Sequence, residues 1–315
     1  MNFEKNFNSA NDDANYDPVS DYKEARMKGW LVVNSFVDSE KFKELYFLLL
    51  ESAKKQNITL ELVKGSQLIS IVGSKSPEMP LPDFCIFWDK DIMLAKALEN
   101  MGIRLFNSSD AISFCDNKAL TYLELAKAGI KIPETIIAPK TFEGVGITNF
   151  EFLKATVEKL GLPIVIKEAY GSFGQQVYLA HTETEAEAII KTIGHKEFVF
   201  QKFISSSYGK DVRINVVGEQ VKASMLRYNA NDFRSNISNG GSMKRYTPSD
   251  EQKHLAIAAV GALKLDFAGV DIMFGPDDEP IVCEVNSNPH FKSTLDCTGI
   301  NLADDIIEYI VRELK

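Results

Sequence analysis

The sequence predicts a mixed α/β protein in which a parallel sheet near the N-terminus is followed by two α+β units. Strand-like and helix-like patterns alternate over residues 29–109, short strands and two helices follow residue 131, and strands dominate again from residue 208. Regular alternation favours a parallel sheet covered by helices. We predict a flexible extension (1–28), an N-terminal α/β domain (29–115), a central α+β domain (116–204) and a C-terminal α+β domain (205–315).

The elements of the N-terminal domain follow from apolar periodicity and from end signals. Asp38 and Ser39 can cap a helix, and Gly102 can end one. Four strands are predicted in GWLVVNSF, TLELV, DFCIFWD and IRLFNS, with helices in the segments that follow Asp38, Asp91 and Ser108.

The remaining elements form two units with different patterns. A helix is predicted near 150–160, followed by the strands LPIVIKEAY and QQVYLA. A second helix is predicted in ETEAEAIIKTI, followed by the strand EFVFQKFI. Strands are predicted in DVRINVVG, QVKASMLRYN, GVDIMFG and PIVCEVNS, with helices near 249–264 and 301–314.

Composition excludes several classes of protein. The 315 residues are 45% apolar and 25% charged, as in ordinary globular proteins, and the net charge of −9 argues against nucleic-acid binding. No apolar run approaches the roughly 18 residues that span a membrane, and no secretory signal opens the chain. Residues 1–26 are polar and are predicted to be flexible. The four cysteines form no CxxC pair, so we expect free thiols and a cytoplasmic protein.

Oxygen-bearing side chains follow two apolar strands near the C-terminus. Asp271 lies in GVDIM, and Glu284 and Asn286 lie in EVNSNP after a short Gly-Pro-Asp-Asp turn. A hairpin of this length can bring the three side chains together, and such oxygens suit Mg²⁺ or Mn²⁺. Solvent-facing polar residues at the end of a hairpin are the alternative.

A glycine-containing turn follows a strand that ends in a lysine. Lys167 precedes Gly171, Ser172, Phe173 and Gly174. Such a turn can present backbone N–H groups to an anion, and the lysine adds a positive charge. A plain hairpin turn is the alternative, and neither a P-loop nor a dinucleotide-binding GxGxxG motif is present.

Residues 204–250 form a basic segment in an acidic chain. Arg234 and Asn236 stand two residues apart beside Gly240 and Gly241, and the arginine fork suits phosphate or carboxylate groups. A solvated loop is the alternative. The segment has four acids and seven basic residues: Lys210, Arg213, Lys222, Arg227, Arg234, Lys244 and Arg245.

The order of these motifs resembles that of the ATP-grasp superfamily, and within it the RimK-like carboxylate–amine ligases. The resemblance covers nearly the whole chain from residue 30 and implies an N-terminal parallel-sheet domain with two α+β domains that clasp ATP. The motifs are DNK (116–118), PIVIKEAYGSFGQQV (163–177), VFQKFI (199–204), GKDVRINVVG (209–218), DFRSNISNGG (232–241), GVDIM (269–273) and EVNSNP (284–289).

The resemblance implies a role for each matching residue. Lys118 and Lys167 would touch nucleotide phosphates beneath the Gly171–Gly174 turn, and Asp211 would lie near the ribose. Arg213 would lie with Asp211 near the ribose and the substrate, and Arg234 and Asn236 would meet the terminal phosphate and the acyl phosphate, so that the candidate catalytic residues are Arg213, Arg234 and Asn236. The adenine hinge would be Gln201, Lys202, Phe203 and Ile204, two Mg²⁺ ions would rest on Asp271, Glu284 and Asn286, and the candidate substrate residues are Arg227, Asn288, His290 and Lys292.

Two positions depart from the family pattern. Lys202 stands where many relatives have an acid, which leaves the contacts to adenine open. His290 and Lys292 replace the small residues common after the last motif, so we expect them to shape substrate choice, with a simple surface turn as the alternative.

The implied reaction joins a carboxylate to an amine through an acyl phosphate and releases ADP and phosphate. The substrates would be amino acids or small peptides. A ligase that forms an amide or ester bond on a ribosomally made peptide or protein is the second hypothesis, and a non-catalytic nucleotide-binding module or phosphotransferase is the third. Relatives are often dimers or tetramers, so a homo-oligomer stays open.

Overall fold

The computed structural model of the protein describes residues 27–68, 80–172 and 174–315, with only the backbone described at Ser238. Residues 1–26 of the predicted extension and the predicted site residue Phe173 lie outside the described residues.

The N-terminal sheet is parallel throughout, with the strand order β2-β1-β3-β4. Successive residues of its strands point to opposite faces, and both faces are buried. Leu31 and Val33 share one core with Leu45 and Ile306, whereas Trp30 and Val32 share the core on the other face with Ala95. The elements are β1 (Lys28–Val33), α1 (Glu40–Lys55), β2 (Thr59–Lys64), β3 (Phe84–Trp88), α2 (Ile92–Asn100), β4 (Leu105–Phe106) and α3 (Ser109–Asp116).

The central sheet is antiparallel, with the order β5-β8-β6-β7. One face is covered by two helices, so Ile164, Ile166 and Phe200 are fully buried there. The elements of this region are α4 (Lys118–Lys127), β5 (Thr135–Ile137), α5 (Glu151–Leu160), β6 (Ile164–Glu168), β7 (Val177–Ala180), α6 (Glu183–Ile193) and β8 (Phe198–Lys202).

The C-terminal sheet is also antiparallel, with the order β11-β10-β9-β12-β13. Helix α7 packs on one face through small residues such as Ala256 and Ala259. The elements are β9 (Lys210–Val217), β10 (Gln220–Tyr228), β11 (Ser242–Arg245), α7 (Asp250–Ala262), β12 (Phe267–Phe274), β13 (Pro280–Asn286), α8 (Lys292–Thr298) and α9 (Leu302–Glu313). The predicted α/β fold class, with one parallel sheet and two α+β regions, is confirmed.

Helix starts follow the expected capping chemistry, since a side-chain oxygen can satisfy N–H groups of the first turn. Ser39 occupies the predicted cap of α1, but its side chain makes no capping hydrogen bond. Side-chain caps are made by Asp91, Ser108, Asn117, Thr182, Ser249 and Asn301. None of the described helices combines the length and the apolar character needed to cross a bilayer.

One buried side chain joins the N-terminal and C-terminal sheets. Asn107 donates to the carbonyl oxygens of Phe267 and Ser287, at 3.0 and 2.8 Å. Its own oxygen accepts from the N–H groups of Asp266 and Phe267, at 2.6 and 3.2 Å. All four hydrogen-bonding positions of the Asn107 amide are therefore used between the two sheets. The same boundary contains a continuous apolar core that includes Phe106 and Phe267.

Candidate active site

Two clefts meet beside the ends of the central and C-terminal sheets. The first, of about 110 Å³, lies between those two sheets, and the second, of about 710 Å³, lies between the N-terminal and C-terminal sheets. Residues that line both clefts form their junction: Gly171, Ser172, Arg227, Asn236 and Glu284.

Every predicted site residue that the structure describes lines one or both clefts. The first cleft alone holds Lys118, Lys167, Gly174, Gln201, Lys202, Phe203, Ile204, Asp211, Arg234 and Asp271. The second cleft alone holds Arg213, Asn286, Asn288, His290 and Lys292.

Two buried lysines project into the first cleft from different elements. Lys118 begins α4, where its backbone N–H donates to Ala169 and its Nζ donates to the carbonyl of Gly171 at 3.2 Å. Lys167 lies on β6. Burial lowers the pKa of Lys118, which Glu284 partly opposes and Lys167 reinforces. An anion bound here would relieve the repulsion between the two ammonium groups.

The ammonium of Lys167 is held by neutral partners. It donates to the hydroxyl of Tyr122 at 2.9 Å, and that hydroxyl donates to the carbonyl of Cys283 at 2.8 Å. Burial raises the pKa of the Cys283 thiol to about 11 and also raises the pKa of Tyr122, so both are neutral at pH 7. Burial lowers the pKa of Lys167, whereas the hydrogen bond from its ammonium group to the Tyr122 hydroxyl and the negative charge of Glu284 raise that pKa. Lys167 therefore keeps its charge.

A buried ionic network forms the floor between the clefts. Arg227 donates to both oxygens of Asp211, at 2.8 and 2.6 Å, and reaches Asp271 at 2.9 Å. Arg213 also makes a two-point contact with Asp271. Although burial opposes it, Arg213 and Arg227 hold the pKa of Asp271 below its ordinary value. The network fixes charged groups from three adjacent strands.

The two acids that were predicted to hold metal lie directly opposite each other. Asp271 of β12 pairs with Glu284 of β13, and a bulge at this point changes the register, since Ile272 pairs with Val282. Both carboxylate oxygens of Asp271 already accept hydrogen bonds from an arginine side chain. The Glu284 side chain, by contrast, lines both clefts, and its carboxylate has no hydrogen-bond or ion-pair partner among the described residues. Asn286 donates its amide N–H to Gly269 at 3.4 Å, which leaves its carbonyl oxygen for another partner.

This donor set fits a hard cation better than a soft one. No group of three or more His, Cys, Asp or Glu side chains in the described ranges is arranged to hold a metal ion. The candidate ligands are two carboxylates and one amide oxygen, and of these Asp271 also contacts two arginines. Mg²⁺ commonly uses one or two carboxylates with water and substrate phosphates. Asp271, Glu284 and Asn286 thus fit Mg²⁺ that arrives with a phosphorylated ligand.

The loop after β10 packs against the glycine turn. Arg234 makes a two-point contact with Asp232, at 3.0 and 2.7 Å, and donates to the carbonyl of Gly174 at 2.8 Å. Gly174 has a φ of +72°, and a Cβ there would lie 2.7 Å from Oδ1 of Asn236. The close approach of turn and loop therefore depends on glycine at this position.

The predicted hinge segment lines the far wall of the first cleft. Gln201 is buried and donates to the hydroxyl of Thr135 at 2.9 Å. Lys202, the departure from the family pattern, pairs with Glu134 at 2.6 Å and also donates its backbone N–H to the carbonyl of that residue. The charge of Lys202 is thus balanced by Glu134, which directly precedes β5.

The second cleft has a polar end near the junction and an apolar wall. Arg213 and Asn288 lie toward the C-terminal sheet, and Asn288 donates to the carbonyl of Asp89 at 3.0 Å. His290 contacts the carbonyl of Lys41 at 3.1 Å, and Lys292 pairs with Asp296. The wall consists of apolar and aromatic side chains: Val37, Phe42, Tyr46, Trp88, Met225, Ile237 and Met243.

The sequence did not predict a role for two residues that line the second cleft, Lys90 and Asp116, or for Tyr122, which supports Lys167. Tyr122 holds Lys167 from helix α4, which looked like an ordinary amphipathic helix. Lys90 and Asp116 pair at 2.6 Å in the second cleft. The position of Lys90 in the sequence could have predicted a role in ligand binding. It follows the carboxyl end of the parallel strand β3, where ligands of α/β sheets commonly bind.

Comparison with known sequences places the chain among ligase relatives. It is 32% identical over 269 residues to the uncharacterized protein MG012 homolog of Mycoplasma pneumoniae, covering 84% of this chain and 92% of that protein. It is 34% identical over 223 residues to human N-acetylaspartylglutamate synthase A, covering 70% of this chain but only 56% of the synthase. It is 36% identical over 220 residues to the probable alpha-L-glutamate ligase 1 of Shewanella sp., covering 69% of this chain and 70% of that ligase.

Solved structures share the fold at low sequence identity. A RimK domain ATP-grasp protein from Sphaerobacter thermophilus superposes with a TM-score of 0.69 at 20% identity, covering 90% of this chain and 98% of that one. D-alanine–D-alanine ligase from Bacillus anthracis, solved with ATP, superposes with a TM-score of 0.67 at 19% identity, covering 92% of this chain and 98% of that ligase. The family model described as the RimK-like ATP-grasp domain matches residues 115–310. The chain belongs to the RimK-like ATP-grasp family.

Proposed function

We propose that this protein is an ATP-dependent ligase that joins a carboxylate to an amine through an acyl phosphate, with release of ADP and phosphate. The observation that carries the proposal is the junction of the two clefts at Glu284, with Lys118 and Lys167 on one side and Arg213 on the other. A phosphoryl group bound in the first cleft would face an acid bound in the second. The names of the human synthase and of the Shewanella ligase support the same class of reaction.

The residues of the first cleft would bind and orient the nucleotide. Lys118, Lys167 and the glycine turn would face its phosphates, the segment from Gln201 to Ile204 would face adenine, and Asp211 would lie near the ribose. Two Mg²⁺ ions, held by Asp271, Glu284 and Asn286, would screen the charges of the phosphates.

The residues at the junction would act during transfer. Arg213, Arg234 and Asn236 donate hydrogen bonds, so they would stabilise negative charge that moves from the nucleotide toward the acid. No side chain needs to remove a proton if the amine enters in its neutral form. The apolar wall and the turn would exclude water from the acyl phosphate.

The substrates we favour are amino acids or short peptides. Modification of a larger peptide or protein is the second candidate, but small substrates are favoured by the size of the second cleft. Its volume of about 710 Å³ falls within the roughly 300–1,000 Å³ typical of sites for drug-sized ligands. Arg227, Asn288, His290 and Lys292 are the residues that we propose select the substrate.

The test is release of ADP and phosphate by the full-length protein with Mg-ATP and pools of amino acids, dicarboxylates, short peptides and longer peptides. Mass spectrometry should show a new species equal to acid plus amine minus water. ATP consumption without such a product in any pool would contradict ligase activity. A product only with longer peptides would favour the second candidate.

A matched pair of variants tests the proposed Mg²⁺ site at Asp271, Glu284 and Asn286. Glu284→Gln keeps the shape of the side chain but removes its charge, so turnover should fall about 100-fold or more and Mg²⁺ should no longer tighten ADP binding. Glu279→Gln, on the same hairpin in a surface pair with Lys131, should behave like the wild type. Removal of Mg²⁺ with a chelator should abolish wild-type turnover. Normal turnover by Glu284→Gln would show that Glu284 does not hold the metal ion.

A further inference from the structure

Lys90 lies at the junction of the two clefts, although it belongs to the N-terminal sheet. Its Nζ is 2.6 Å from Oδ1 of Asp116 and 3.4 Å from Oγ of Ser172. Ser172 lines both clefts, whereas Lys90 and Asp116 line the second. The ammonium group therefore stands on the second-cleft side of the point where the clefts join.

The backbone of Lys90 is fixed, whereas its ammonium group can exchange partners. Its N–H donates to Oδ1 of Asp89 at 2.7 Å, and the same oxygen accepts from Asn34 at 3.2 Å. The carbonyl of Asp89 accepts from Asn288 at 3.0 Å. The side chain of Lys90, however, is 44% exposed, and partly exposed Lys–Asp pairs contribute little to stability. A phosphate dianion is a stronger partner for an ammonium group than Asp116 is.

The surrounding charges favour an added anion. Lys118 is buried beside the glycine turn, and its pKa is lowered by burial and, in addition, by the positive charges of Lys167 and Lys90. Glu284 and Asp116 partly compensate these charges. The three ammonium groups of Lys118, Lys167 and Lys90 thus exceed the two carboxylates of Glu284 and Asp116 by one positive charge, which favours an incoming anion.

We propose that Lys90 binds the transferred phosphoryl group on its passage from the first cleft to the second, and that Asp116 holds the ammonium beforehand. The inference rests on the proposed function and adds a third lysine to Lys118 and Lys167. In the transfer, the bond between the γ-phosphorus and the bridging oxygen of ADP breaks and a bond to the substrate carboxylate oxygen forms. Lys90 keeps its proton and contributes charge alone.

Binding of inorganic phosphate to the full-length protein saturated with Mg-ADP tests this role without turnover. Titration calorimetry should show phosphate binding weakened about tenfold or more in Lys90→Met, which keeps the length of the side chain but loses its charge. Lys90→Arg should retain most of the affinity, and the affinity for Mg-ADP should stay within about twofold in both variants, because the nucleotide contacts lie in the first cleft. Lys96→Met, which removes an exposed pair with Asp110, is the control.

A second variant separates anion binding from a merely structural pair. Asp116→Asn frees the ammonium, so phosphate should bind several-fold more tightly, and this gain should vanish in the double variant with Lys90→Met. If Asp116→Asn instead weakened phosphate binding as Lys90→Met does, or if Lys90→Met bound phosphate normally, the inference would be overturned. A wild-type protein that bound neither Mg-ADP nor phosphate would contradict the proposed function itself.

Discussion

Arg227 and Asp211 form a two-point salt bridge inside the protein, with Nε–Oδ1 and Nη2–Oδ2 distances of 2.8 and 2.6 Å. Only 5% of Arg227 is exposed, and its guanidinium also contacts Asp271. The positive charge of Arg227 thus balances two buried acids. Asp211 lies near the proposed ribose site, and Asp271 belongs to the proposed Mg²⁺ site.

Replacement of Arg227 by methionine should destabilise the fold, because it leaves Asp211 without a partner and Asp271 with Arg213 alone. Loss of one partner of a buried ion pair costs about 3–5 kcal/mol, which urea unfolding can measure. Lys127→Met, which removes an exposed contact with Glu124, should cost less than about 0.5 kcal/mol. Equal losses in the two variants would show that the buried network is not stabilising.

Alanine at Gly174 should impair activity much more than alanine at Gly240. Both glycines have positive φ, +72° and +84°, so both substitutions carry a backbone cost of roughly 1–2 kcal/mol. Only at Gly174 would the new Cβ collide with Asn236, whereas nothing lies within 4 Å at Gly240. We expect kcat to fall about 100-fold in Gly174→Ala, since small misplacements at a reacting centre have effects of this size. Similar kcat values for the two variants, with unfolding measured in parallel, would contradict this.

Nucleotide affinity should decline in alkaline solution because of Lys118. Burial lowers the pKa of this lysine below 10.5, so its charge is present at low pH and is lost as pH rises through the lowered value. The dissociation constant of Mg-ADP should therefore increase at a lower pH than an ordinary lysine would produce. Fluorescence titrations from neutral pH to about pH 10 would show this, and Lys118→Arg should remove the dependence because arginine stays charged. A wild-type profile that matches Lys118→Arg would assign the effect to another group.

Asn107→Ala should destabilise the protein although Asn107 lies outside both clefts. The substitution leaves two carbonyls and two N–H groups at the buried domain boundary without their partner. Each unsatisfied group costs about 1–3 kcal/mol, so we expect a loss of roughly 3 kcal/mol or more in urea unfolding. Asn149→Ala, which removes an exposed contact of 3.4 Å to Glu151, should cost less than about 1 kcal/mol. A near-zero effect of Asn107→Ala would mean that water replaces the amide.

The parts of the fold and site that could be predicted depend on local patterns. The alternation of strands and helices predicts the parallel sheet, and the short turn after β12 predicts that Asp271 and Glu284 are neighbours, as the strand register shows. Sequence spacing alone did not predict the bulge beside Asp271, because a bulge depends on the packing of both strands.

Contacts between distant segments could not be predicted in this way. Arg227 and Asp211 lie 16 residues apart, whereas Arg213 and Asp271 lie 58 apart, and no periodicity links such charges. The interpretation of Asp271 as a metal ligand did not anticipate that two arginines would contact it. Lys90 was overlooked because Ser172 is 82 residues away in the chain, so only the folded structure brings the two together.

The packing of α1 against α9 determines when the first part of the chain can fold. Leu45 and Leu49 of α1 share a core with Ile306 and Ile310 of α9, and Ser52 bonds Asp304 at 2.6 Å across 252 residues. During synthesis on the ribosome, the N-terminal sheet emerges first but exposes one apolar face until the last helix is made. Contacts of such long sequence separation slow folding and prolong the exposure of apolar surface. The nascent chain therefore has a long period in which a chaperone that binds apolar segments would find α1 uncovered.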